Sequence, residues 1–179
     1  MSMRRAEFLA LTGLSPDNHK NLVRRDLLPY HEESGSRGKW GKYTPRQVIA
    51  TVMSLELAGS GLDQLTASGL VVKSDDQLGN AIRDAIEADK AGAPDIWFAT
   101  ICFFYRDGNL DIERRTVVFT TIEKLAATMT EYDCTVADLA KRTSDISMVN
   151  LSRILRMVQF RARQNKVDLD LVEIFGGTR

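Results

Sequence analysis

Apolar and polar positions along this chain follow helical spacing in some stretches and strand spacing in others, and the changes between them divide it into elements. Arg4 to Leu11 places Phe8, Leu9 and Leu11 on one side of a short helix. Thr12-Gly13 ends it, since glycine readily takes the left-handed conformation that closes a tight turn. Ser15-Pro16 restarts the chain as a helix to about Asp26, with Ser15 as N-cap and Pro16 at the first helical position, where its missing N–H removes no bond. Leu22 is the inward anchor of this helix, and Leu14 and Leu27 pack near its ends. Thr44-Pro45 is a second cap signal and opens a helix from Arg46 to about Ala58, striped by Val48, Ile49, Val52, Met53, Leu55 and Leu57 and stopped by Gly59 and Gly61. A short helix around Leu62 to Ser68 follows, and Val71 to Asp76 reads as a boundary.

Beyond that boundary, Leu78, Ile82 and Ile86 recur at a spacing of four, which predicts a surface helix over Asp75 to Lys90 ending at Ala91-Gly92-Ala93-Pro94. Ile96 to Arg106 is dense in aromatic and β-branched residues, Asp107-Gly108-Asn109 supplies turn chemistry, and Leu110 to Ile122 follows, which together predict a β-hairpin. The first strand is apolar on both alternating faces, so it belongs in the centre of a sheet or between helices, or else one face is a subunit interface. Three helical segments close the chain: Ile122 to Thr130, Val136 to Arg142, and Met148 to about Gln164. Leu151, Ile154, Leu155 and Val158 stripe the last, leaving Arg153, Arg156, Arg163 and Lys166 for solvent, phosphate or a partner. Residues 135–158 also read as a helix-turn-helix, with Ser147 capping its second helix. The expected fold class is mainly α (α+β): an N-terminal domain over 1–72, then a C-terminal α+β domain over 73–179 with a β-hairpin and several helices, for assembly or partner contact.

Composition narrows the function. The 179 residues, 44% hydrophobic and 27% charged, are those of a globular protein. The longest apolar run, Ile96 to Tyr105, is too short for a bilayer and the N-terminus lacks the apolar core of a signal peptide, so no membrane association and a cytoplasmic location are expected. Cys102 and Cys134 read as buried thiols. The net charge is zero, but residues 1–46 carry nine Lys/Arg against five Asp/Glu, residues 47–113 four against eleven, and residues 114–179 eleven against eight. A basic head and tail thus flank an acidic middle.

Signals for catalysis and metal binding are missing. His19 and His31 have no Cys or His partner at ligand spacing, so neither a metal nor another cofactor is expected. Asp75-Asp76, Asp107, Asp111 and Glu113 read as helix start, turn and strand surface, and no phosphate-cradling or nucleophile motif occurs. The chain does not read as an enzyme.

What remains is the order of the first elements: helix, tight turn, capped helix with a basic outer face, basic hairpin over Tyr30 to Tyr43, helix. That is the order of a winged helix-turn-helix, whose second helix enters the major groove. Asn18 and Asn21 each offer a paired donor and acceptor to an adenine edge, Lys20 and Arg24 reach guanine or phosphate, and Arg25 reaches backbone. Ser15 caps this helix, and His19 either reads or packs. In the wing, Arg37, Lys39 and Lys42 suit sequence-blind phosphate contacts, and Trp40 either wedges at the minor groove or anchors the hairpin.

Thr12-Gly13-Leu14-Ser15-Pro16, Arg24-Arg25-Asp26-Leu27-Leu28-Pro29, and Lys42-Tyr43-Thr44-Pro45 before a Leu/Ile/Val-striped helix with a Gly59 to Leu62 break resemble the DNA-binding domain of MerR-type transcription regulators. The likeness covers about residues 4–70, and the winged domain is shared with phage and mobile-element factors such as excisionases. It implies base and phosphate contacts from the helix after the Ser-Pro cap, phosphate contacts from the wing, and a homodimer. Asp17 and Asn21-Leu22 stand where many members carry a basic residue and an aromatic pair, and no sustained heptad follows Lys73. The expected function is therefore sequence-specific regulation on double-stranded DNA, with helix 16–26 in the major groove and wing 30–43 on the backbone. The competing class is a protein-interaction module or anti-regulator whose winged domain binds another protein.

Overall fold

The computed structural model describes residues 2–30, 42–107, 110–133 and 142–176. Helix α1 (Arg5–Thr12) starts where the Arg4 N–H donates to Glu7 Oε2 at 2.6 Å and ends at Gly13 with φ of +77°. Helix α2 (Pro16–Arg24) starts under Ser15, whose Oγ accepts from the Asn18 N–H at 3.2 Å. It stops as Asp26 turns left-handed, φ +52°, and the Leu27 N–H closes back on Leu22 O at 2.9 Å. Helix α3 (Pro45–Gly59) opens with a reciprocal pair: Thr44 Oγ1 accepts from the Gln47 N–H and Gln47 Oε1 from the Thr44 N–H. Helix α4 (Gln64–Lys73) is capped by the Asp63 carboxylate, and α5 (Asp75–Ala91) ends at left-handed Gly92.

Strands β1 (Trp97–Asp107) and β2 (Leu110–Thr120) form the expected hairpin, with Asp107 opposite Leu110 and Trp97 opposite Thr120. Helix α6 (Ile122–Asp133) follows, then β3 (Arg142–Asn150), α7 (Leu151–Gln164) and the short α8 (Leu171–Phe175). The sheet is antiparallel, in the order β2-β1-β3. Central β1 is covered on both faces, as its two-sided apolar pattern implies. Ala99 and Ile101 meet Leu125 and Met129 of α6, while Phe98, tilted against Phe119 with ring centroids 5.0 Å apart, faces the main core.

Strand β3 corrects one expectation. A helix-turn-helix over 135–158 would make Ser147 a helix cap; residues 134–141 lie outside the described ones, but Arg142–Asn150 pairs antiparallel with β1, placing Ser147 opposite Thr100. Thr143, Ile146 and Val149 are β-branched, and the segment pairs along the edge of β1 that β2 leaves open. The true cap of α7 is Asn150, whose Oδ1 accepts from the Arg153 N–H at 2.7 Å.

The boundary expected at 71–76 is a helix-to-helix corner at buried Ser74. Buried side chains on either side of it belong to one cluster, in which Phe8, Ile49 and Leu57 join Leu78, Ile82, Leu151 and Val158. Separate cores for 1–72 and 73–179 do not form because α7 packs on α1 and α3 as well as on α5. No helix among the described residues is long and apolar enough to cross a membrane.

Candidate nucleic-acid interface

Helix α2 has two unlike faces. Asn18, Lys20, Asn21, Arg24 and Arg25 are exposed, together with the capping Ser15, while Leu22 and Val23 are half-buried. His19 was expected among the DNA-contacting side chains and is not available for that: it is 2% exposed. Its ring stands edge-on to Phe8 at 5.4 Å and to Tyr43 at 5.9 Å, and Phe8 and Tyr43 stack on each other at 4.2 Å. The physical reason is periodicity, since position 19 lies one turn before Leu22 and Val23 on the inward side. Burial of the aromatic cluster is what aims the other face outward.

Polar contacts fix the start of α2 to α1. The Arg5 guanidinium donates to Pro16 O at 3.2 Å and lies 3.4 Å from His19 Nδ1, so the imidazole accepts there. The turn between the helices is held from a distant element: Arg161 of α7 donates from Nη1 to Leu11 O and Thr12 O. Arg161 was not singled out from sequence, and Tyr43 entered within the motif Lys42-Tyr43-Thr44-Pro45, with no packing role. Tyr43 sits next to a cap signal, where an aromatic residue carries no period of its own. Arg161 is one of several arginines in a helix that looks solvated.

Charge is distributed unevenly. Arg156 is tied to Asp89 and Asp95, Arg46 to Asp75, and Arg115 to Asp145. Lys20, Arg24 and Arg25 have no such carboxylate among the described residues, which leaves three uncompensated cations on one short helix and its cap. Asp17 is exposed in the first turn, where the positive end of the helix dipole favours it.

Of the segment 30–43 expected to form a wing, only Tyr30, Lys42 and Tyr43 are described; Arg37, Lys39 and Trp40 lie outside the described residues. Lys42 is exposed. Tyr43 is paired with Met3 by two backbone hydrogen bonds of 2.7 and 3.0 Å, which brings both ends of segment 3–43 together under α2.

A second cluster ties the C-terminal elements. Arg156 reaches Asp89 Oδ1 at 2.8 Å and both Asp95 oxygens at 3.0 and 2.9 Å, and Asn150 donates to Asp95 at 2.7 Å. The Arg156 hydrogen bonds, and after them the Asn150 amide, hold the Asp95 carboxyl below its usual range. The same contacts keep the Arg156 guanidinium protonated. This arrangement joins α5, the segment leading into β1, the end of β3 and the first turns of α7. Among the described residues no three His, Cys, Asp or Glu side chains converge as metal ligands. The chain matches no protein-family model and no curated protein.

Proposed function

We propose that this protein binds double-stranded DNA sequence-specifically as a transcription regulator, with α2 in the major groove. One observation carries the reading: a Ser-capped helix whose inner face is fixed by His19, Phe8 and Tyr43 presents Asn18, Lys20, Asn21, Arg24 and Arg25 together to solvent. Asn18 and Asn21 supply paired donors and acceptors for adenine, Lys20 and Arg24 reach guanine or phosphate, and Arg25 reaches backbone. In this reading the wing over 30–43, with Arg37, Lys39 and Lys42, lies along the flanking backbone, as the resemblance to MerR-type domains suggests. Homodimers and a cytoplasmic location belong to the same proposal.

The test is DNA affinity measured against salt on a set of promoter fragments. The expected result is a preference for particular fragments and a steep loss of affinity with salt, with Lys20→Ala and Arg24→Ala each flattening the slope by roughly one unit. A slope near zero, or one that these substitutions leave unchanged, overturns the proposal.

A further inference from the structure

Residues of α5, α7 and α8 line an open cleft of about 430 Å³, within the size of small-ligand sites at roughly 300–1,000 Å³. Its floor is apolar, with Ile86 and Leu155 buried there. Five large apolar side chains are exposed among the described residues, and two of them, Phe160 at 59% and Val172 at 42%, flank this one cleft. Isolated surface apolar residues need no explanation, but two lining the same concavity do.

The walls are fixed by hydrogen bonds. Arg83 Nε donates to Phe175 O at 3.2 Å, holding α8 on α5. Gln159 donates to Leu169 O at 2.8 Å and accepts from the Leu171 N–H at 3.4 Å, holding the entry of α8 on α7. The cleft is therefore formed before anything enters it.

Its charge follows from which groups already have partners. Asp89 accepts from Arg156 at 2.8 Å, and Asp170 caps α8 by accepting from the Val172 and Glu173 N–H groups at 2.8 and 3.2 Å. The side chains of Lys90, on α5, and Arg163, on α7, have no hydrogen bond or ion pair among the described residues. Lys90, Arg156 and Arg163 outnumber Asp89 and Asp170 in the lining by one, and Lys90 and Arg163 are the two cations with no direct ion pair, beside an apolar floor and an exposed aromatic ring.

We infer that this cleft is a binding site for a small amphiphilic anion, with one carboxylate or sulfonate between Lys90 and Arg163 and an apolar body against Phe160, Val172 and Leu155. The inference is independent of the DNA-binding proposal and stands or falls without it. It is tested by titrating the whole chain with the fluorescent probe 1-anilinonaphthalene-8-sulfonate. One saturable site per chain is expected, with Phe160→Ser and Arg163→Glu each weakening it by about tenfold or more and Leu65→Ser, an exposed apolar position elsewhere, leaving it unchanged. Sodium decanoate should displace the probe and decyltrimethylammonium should not. Circular dichroism checks that the exposed-site variants keep their fold. Binding that does not saturate, that ignores Phe160→Ser and Arg163→Glu, or that the cationic amphiphile displaces as well, overturns the inference.

Discussion

The Arg161 guanidinium donates to Leu11 O at 3.0 Å and to Thr12 O at 2.9 Å, so α7 holds the final turn of a helix 150 positions earlier in the chain. Carbonyls at a helix C-terminus lack intrahelical partners, and a charged donor satisfies them better than water does in a half-buried site. The same guanidinium fills the space where a side chain on Gly13 would stand, 3.0 Å from an ideal Cβ. Arg161→Ala should cost about 1–3 kcal/mol in urea unfolding, with Arg161→Lys recovering part of it. Gly13→Ala should cost about 1–2 kcal/mol from the left-handed backbone alone, and more with Arg161 present. A double-mutant cycle checks the coupling: the Gly13→Ala penalty should shrink in the Arg161→Ala background.

Residues 18 and 19 are neighbours with opposite roles. His19→Ala removes a ring from the cluster with Phe8 and Tyr43, and should destabilise by about 2–4 kcal/mol. Asn18→Ala leaves an exposed site, and should stay within about 0.5 kcal/mol. Urea midpoints of the two variants decide this, and equal midpoints would contradict the burial of His19.

The Asp95 contacts give stability a pH dependence of known sign. The folded carboxyl titrates below the ordinary value of 3.8, so its contribution is complete above 3.8 and is lost as pH falls through the lower, folded value. Arg156 is half exposed, and screening limits the contribution to about 1 kcal/mol. Asp95→Asn should therefore be less stable than the parent at neutral pH, with the gap closing as pH falls below 3.8. Denaturation profiles at several pH values test it, and a gap that widens in acid would contradict the assignment.

Thr100 lies in the centre of β1, fully buried, and its Oγ1 has no hydrogen-bond partner among the described residues. A buried hydroxyl without a partner is worse than a methyl of the same shape. Thr100→Val should be neutral or stabilising by about 1 kcal/mol, measured as thermal or urea stability. A loss of more than that would mean the hydroxyl is engaged.

Local signals were legible and distant ones were not. The Ser15-Pro16 and Thr44-Pro45 caps, the Gly13 turn, the hairpin from Trp97 to Thr120 and the Leu151–Val158 stripe all express their structure within one or two turns of chain, and each stands where its pattern puts it. Strand β3 is different. Arg142–Asn150 has no strong alternation and becomes a strand through pairing with β1, some forty positions back, which a helical pattern search assigns to a cap. The single core was equally hidden: nothing local in α7 says that its apolar stripe closes over α1 and α3. At the candidate interface, the outward set Asn18, Lys20, Asn21, Arg24 and Arg25 and the inward position of His19 both follow from helical geometry, whereas the rings that His19 meets depend on the return of Tyr43 beside Phe8.

That return rests on Met3, which is almost fully buried and exchanges both of its backbone groups with Tyr43. Among the described residues this is the backbone pair that joins position 3 to position 43, beside the ring contacts of Tyr43 with Phe8 and His19. Deleting Met3, or replacing it with a residue that cannot donate from its backbone nitrogen, removes one anchor of the aromatic support beneath α2 and lets that support drift.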